Sequence, residues 1–197
     1  GKEIYSWTWQ IRENKEIVEG FITLTGEGEA EVASADTTIT IRSGGTSVTL
    51  SKMTGKISRI MYNNRSMTMF GNGPVLVGDN GGKVKEIVTH VEDNIASAEI
   101  KYDGKMLSAL WKVYPSGWVS MEYQYEMNGP RQYAGISFSY PETYVTRAKW
   151  LGDGPYRVWK NRLYGVNFNV WSKIYNNTQT GAYPFFYPEF KGYFSNF

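Results

Sequence analysis

Few residues in this chain could carry out bond chemistry, and their scarcity shapes the reading. There is no cysteine and a single histidine, His90, in 197 residues. Thiol catalysis, disulfides and thiolate zinc sites are excluded, a histidine-rich metal cluster cannot be assembled, and a serine triad would have to use His90. No cofactor and no metal site is expected. Asp153 and Glu189 are the only acids between Trp150 and Phe197. Glycoside hydrolysis needs an acid and a base flanking the scissile bond, so this pair is one reading. The plainer reading has Asp153, in Gly152-Asp153-Gly154-Pro155, capping turn amides and Glu189 pairing with a cation such as Arg162. His90 lies in an alternating stretch from Val84 to Glu92. It could act as general acid in an epimerase that opens a sugar ring, helped by Glu86 or Glu92. As a strand histidine facing solvent it needs no partner.

Aromatic residues are the stronger signal. They make up 16% of the chain, and close to half of them fall after residue 149. Trp150, Tyr156, Trp159, Tyr164, Trp171 and Tyr175 are interleaved with Asn161, Arg162, Asn167, Asn169, Asn176 and Asn177. Sugars offer flat C–H faces to indole and phenol rings, and their hydroxyls suit amides and guanidinium groups. The same rings could equally fill a wide β core. Base stacking would also use them, but 21 basic against 19 acidic residues give a formal charge of only +2. A nucleic-acid partner, which calls for a concentrated basic face, is not expected.

The elements that must position these groups read as strands. Ile39 and Ile41 alternate with Thr38, Thr40 and Arg42, and Gly44-Gly45 turns the chain into Val48 and Leu50. Met53 to Lys56 and Asn63-Asn64 read as further turns, since asparagine tolerates positive φ. Ala96, Ala98, Ile100 and Tyr102 lead into the hairpin signal Asp103-Gly104, and Leu107, Ala109, Trp111 and Val113 return from it. After Pro115-Ser116-Gly117, Val119, Met121, Tyr123 and Tyr125 form one face. Gly73 to Val77 and Ile136 to Tyr140 are shorter strands, and Tyr5, Trp7, Trp9 and Ile11 suggest another. The best helical candidate, Asn14 to Val18, is short. Gly26 to Glu29 and Gly78 to Gly82 read as connectors. Many half-apolar strands separated by Gly, Asn and Pro turns imply an all-β sandwich or barrel.

Length suggests one domain with at most a short appendage, and hydrophobic and charged fractions of 41% and 20% fit a globular chain. No apolar run approaches the ~20 residues of a membrane helix, so membrane insertion is not expected. The opening Gly1-Lys2-Glu3 reads as the start of a mature or excised piece.

At Ala148-Lys149-Trp150-Leu151-Gly152-Asp153-Gly154-Pro155, followed by Asn161-Arg162, the sequence resembles the Trp-Leu-Gly-x-Gly-Pro…Asp-Arg signature of the β-galactosidase small-chain domain. That domain is the C-terminal supersandwich of many glycoside hydrolase family 2 enzymes. Gly135-Ile136-Ser137-Phe138-Ser139-Tyr140-Pro141-Glu142 is similar to the family's Gly-Ile-x-Phe-x-Leu-Pro strand. Ile39 to Ile57 and Phe70-Gly71-Asn72-Gly73-Pro74 are similar to its opening, and Tyr187-Pro188-Glu189-Phe190-Lys191-Gly192 to its Pro-x-Glu-x-Gly segment. The match runs over residues 36–192. It departs from the pattern at Tyr156-Arg157-Val158-Trp159, where the family has Gln or Glu and then Asn-Tyr, and at Asn161, where it has Asp.

The resemblance implies an antiparallel, galactose-mutarotase-like supersandwich over 36–197, truncated at its C-terminus, with 1–35 as the end of a preceding β-segment. It implies a non-catalytic accessory domain of a multidomain, β-galactosidase-like hydrolase, whose cleaving carboxylates belong to a separate TIM barrel. Carbohydrate and that barrel are the expected partners, and the bacterial periplasm or exterior the expected compartment. Saccharide contact is expected from Tyr156, Trp159, Arg162 and Glu189, with Asp153 shaping the turn. The alternatives are a free-standing carbohydrate-binding module and an epimerase-like enzyme using His90.

Overall fold

The computed structural model describes Trp9, residues 11–22, Gly26 and residues 28–67, 71–79, 81–130, 134–154 and 167–175. Chain contacts divide it into Lys15–Tyr140 and a second unit made of Gly1–Asn14 with Pro141–Phe197. Among the described residues the only α-helix is α1 (Asn14–Ile22), which extends the expected helix by one turn. No helix among them is long and apolar enough to cross a membrane.

In the first unit, β1 (Glu31–Ser34), β2 (Thr38–Ser43), β3 (Thr46–Ser51), β4 (Ile57–Tyr62) and β5 (Arg65–Met67) form an antiparallel meander in chain order. β1 pairs along its whole length with β2, from Glu31 opposite Arg42 to Ser34 opposite Ile39. β6 (Gly71–Leu76) follows. Then β7 (Val84–Glu92), β8 (Ile95–Tyr102), β9 (Met106–Val113) and β10 (Val119–Tyr125) make a second antiparallel sheet, and β11 (Ile136–Ser139) returns to pair with β6. The all-β antiparallel architecture is the one that the period-two patterning requires.

Alternation decides which face of each sheet is covered. Ile39, Ile41, Val48, Leu50 and Ile57 of the first sheet pack with Ala96, Ala98, Ile100, Ala109, Trp111 and Val113 of the second in one core cluster. The intervening Thr38, Thr40, Ser47 and Thr49 face outward, and Thr40 and Thr49 hydroxyls meet at 2.9 Å. Each fully covered Ile, Leu or Val contributes about 1.5–3 kcal/mol of transfer free energy, so two facing stripes of this kind hold the sheets together. The structure is thus a β-sandwich within Lys15–Tyr140.

Two expectations fail locally. Leu107 was expected inward beside Ala109, but it is 42% exposed, and Met106 is buried instead. The register between β9 and β10 shifts at Gln124/Tyr125, where Ser108 and then Met106 are paired and Leu107 is skipped. Such a bulge inserts one extra residue and reverses the parity of everything beyond it. Trp9 and Ile11 belong to no strand and are 78% and 92% exposed. Tyr5 and Trp7, from the same expected strand, lie outside the described residues.

Tight turns fix the register. β2–β3, β4–β5 and β7–β8 are closed by Gly44-Gly45, Asn63-Asn64 and Asp93-Asn94, all six with positive φ. Two positive-φ residues are what a two-residue hairpin turn needs to match strand twist. One end of the sandwich is also tied across the sheets. The buried Ser43 hydroxyl donates to Asn94 O at 2.6 Å, and the buried Thr46 hydroxyl donates to Gly117 O at 2.7 Å. The backbones there approach so closely that a Cβ on Gly44 would lie 2.1 Å from Pro115 O. At the other end, Tyr102 is buried and its hydroxyl reaches Gly55 O at 3.4 Å.

The second unit contains a short 3₁₀ turn (Glu142–Tyr144) and the antiparallel ribbon of β12 (Arg147–Gly154) and β13 (Asn167–Ile174).

Two measurements check this account. Gly44 has φ 53° and no room for a side chain, so Gly44→Ala lowers stability by about 3 kcal/mol in urea unfolding, through backbone strain plus overlap. Burial pushes the Tyr102 phenol from 10.0 up to about 12. The fold favours the neutral ring, so this contribution is complete below pH 10 and is lost as pH rises towards 12. It amounts to about 2 kcal/mol across that window. In Tyr102→Phe, the slope of stability against pH between 10 and 12 becomes shallower.

Candidate functional site

The ribbon β12–β13 carries the motif that resembles a known signature, and its geometry accounts for those residue types. Trp150 stands directly opposite Trp171, and Gly152 opposite Asn169. Side chains of directly paired residues share a face. The Trp150 indole N–H folds forward along its own strand and donates to Asp153 O at 3.2 Å. The Trp171 indole N–H crosses to Gly152 O at 3.1 Å. Both bonds converge on the Gly152-Asp153 peptides. Trp150 is 6% exposed, and Gly152 beneath the rings is buried. A two-stranded ribbon is marginal in water by itself; here two large rings and two indole bonds brace its open end.

Beyond the ribbon's lower end, the Tyr175 hydroxyl donates to Glu142 Oε1 at 2.8 Å. Its pKa is raised, first by burial and then by the hydrogen bond and negative charge of Glu142. The opposite face of the ribbon is mixed, with Leu151, Phe168, Val170 and Ile174, all more than 40% exposed, set among Arg147, Lys149, Asp153 and Ser172.

Of the expected contact residues, Asp153 is the one the described structure reaches. It is half-buried in β12 opposite Phe168, in a strand rather than a turn, and its carbonyl is the acceptor for Trp150. It stands at the mouth of the connection 155–166. Tyr156, Trp159 and Arg162 in that connection, and Glu189 further on, lie outside the described residues. The proximity of Asp153 and Glu189 is therefore not part of the described geometry.

His90 is exposed on β7, directly opposite Ser97, whose hydroxyl donates to His90 O at 3.4 Å. Glu86 is engaged elsewhere, with Lys101 Nζ 2.9 Å from its Oε2. That bond and charge raise the Lys101 pKa. Glu92 is exposed at the end of the same strand. Among the described residues no group of three or more His, Cys, Asp or Glu could hold a metal ion.

Neither a set of protein-family models nor the curated protein sequences contain a match to this chain.

The indole braces can be measured. Trp150→Phe keeps an aromatic ring at the site and removes one donor together with part of the ring volume, at least about 1 kcal/mol. Amide exchange across β12 and β13 accelerates about fivefold, while strands β2, β3, β8 and β9 exchange as before. Equal acceleration in those strands would mean that the bond does not act on the ribbon alone.

Proposed function

We propose that this chain is a non-catalytic accessory domain of a multidomain, β-galactosidase-like glycoside hydrolase, with the supersandwich of the family 2 small-chain domain. It supports a catalytic TIM barrel and contributes saccharide contacts, and works in the bacterial periplasm or exterior. The observation that carries the reading is the indole pair of the ribbon. The Trp and Gly of Trp150-Leu151-Gly152-Asp153-Gly154 are used to shape the backbone that leads into the 155–166 connection. A motif employed in this way positions a loop rather than attacking a bond. The segment 155–166 that follows in sequence bears Tyr156, Trp159 and Arg162, whose aromatic and guanidinium groups suit a sugar's C–H faces and hydroxyls.

The antiparallel sandwich of Lys15–Tyr140 supports the same reading, because its strands are spent on a shared core. The engagement of Glu86 by Lys101 and the exposure of His90 weigh against an epimerase centred on that histidine.

The test is assay of the chain alone and of the parent barrel with and without it. Alone, the chain is expected to leave nitrophenyl β-glycosides intact and not to speed mutarotation of galactose. Joined to the chain, the barrel melts at higher temperature and gains kcat/KM on β-galactosides. Turnover by the isolated chain, abolished in His90→Ala, would replace this proposal with the epimerase.

A further inference from the structure

One end of the sandwich in Lys15–Tyr140 opens into a cleft of about 480 Å³, bounded by Glu29, Arg42, the Gly44-Gly45 turn, Ser47, Met61 and Asn64. The volume falls within the range of small-molecule sites. Its walls come from rigid parts. The Gly44-Gly45 and Asn63-Asn64 turns are joined by the bond from Asn63 N–H to Gly45 O at 2.9 Å, and the first is tied to the facing sheet through Ser43 and Thr46. Those two hydroxyls are committed to Asn94 O and Gly117 O, so at these positions the cleft is lined by backbone.

The remaining lining groups define a ligand chemistry. Arg42 Nη2 is bonded to the carboxylate of Glu31, opposite it in register. This engages one nitrogen of the exposed guanidinium and leaves other N–H groups of the fork to donate. Glu29, exposed on the rim, supplies acceptors only. Asn64 supplies both an acceptor and two donors, and Ser47 a hydroxyl. Met61 is half-buried and offers a polarizable apolar surface. Counting charges, Arg42 faces two carboxylates, Glu29 and Glu31. The site is therefore no anion trap, although it contains an arginine. Donors and acceptors side by side, a balanced to slightly negative charge and one apolar patch suit vicinal hydroxyls on a neutral ring.

The geometry points to this cleft as a binding site for a neutral mono- or disaccharide, separate from the 155–166 connection. It goes beyond the accessory role proposed above and does not depend on it. Occupancy would place a sugar against the β2–β3 turn, with Arg42 and Asn64 hydrogen-bonded to its hydroxyls.

The test is titration of the full chain with D-galactose, D-glucose and lactose, each followed by amide chemical shifts, with inorganic phosphate as the contrasting probe. Saturable shifts at Gly44, Gly45, Ser47 and Asn64 are expected for at least one sugar. Arg42→Met weakens that binding about tenfold, the worth of one charge-assisted hydrogen bond. Asn64 has φ 61°, so Asn64→Gly keeps the turn and the melting temperature while also weakening binding. Lack of any saturable sugar shift at these amides overturns the proposal. So does phosphate binding there in preference to sugar, or sugar affinity that both variants leave unchanged. Shifts confined to residues beyond Tyr140 would overturn this site while leaving the accessory role standing. Failure of the chain to stabilise a barrel, with cleft binding intact, would do the reverse.

Discussion

The fold rests on the burial of one apolar stripe against another. Ile41, Val48 and Leu50 on one sheet and Ala96, Ala98, Ile100, Ala109 and Val113 on the other have no solvent exposure at all. The stripes are complementary in size. Three of the second sheet's inward residues are alanines, while the first sheet presents branched and long side chains, so the sheets can approach closely. Trp111, 4% exposed, fills what remains and meets Phe138 of β11 edge-on at 6.4 Å. That contact brings the small β6–β11 sheet onto the same core. Dense packing of this kind transmits displacement, and the turns at the sandwich ends inherit their positions from it. The tight approach of Gly44 to Pro115 is a consequence of that closeness.

The fold was legible in the sequence where side chains alternate and where turn chemistry is local. Gly44-Gly45 and Asn63-Asn64 could be read as turns because their residue types tolerate positive φ. Asp93-Asn94 does the same work in the structure, but in the sequence its signal is hidden inside the long alternating run from Val84 to Tyr102. The bulge at Leu107 was not legible. A bulge is set by how two strands pair across the hairpin, and in the sequence Leu107 continues a perfect alternation with Ala109 and Trp111. The Tyr5 to Ile11 pattern shows the opposite error. Alternation marks what could be a strand, but pairing requires an available neighbour, and Trp9 and Ile11 have none in the described ladders.

The candidate site was legible as composition and not as geometry. The excess of aromatics after residue 149 is visible at once, but which rings are structural cannot be known until strands are paired. Trp150 and Trp171 are 21 residues apart and face each other only because β12 and β13 pair in that register. Their indole N–H groups then go to Gly152 and Asp153 carbonyls. Trp150, only 6% exposed, is thereby removed from the pool of rings free to stack on a sugar, while Trp171 is half-buried. The aromatic count overstates the contact surface, and the indole bonds show by which residues.

This division of labour gives a physical reason for the differing character of the two units. In Lys15–Tyr140 the polar side chains that are buried, Ser43 and Thr46, are consumed in tying turns together, and the outer faces are lined with threonine and serine. In the ribbon the outer face leaves Leu151, Phe168, Val170 and Ile174 open beside Arg147, Lys149 and Ser172. Two strands cannot bury both faces against each other, so one face is spent on bracing the Gly152-Asp153 backbone and the other stays exposed. A ribbon stiffened from one side keeps its curvature when something meets the other side. The indole bonds therefore do for the ribbon what the second sheet does for the sandwich: they set its backbone, and a backbone set in advance lowers the ordering cost of any contact made with it.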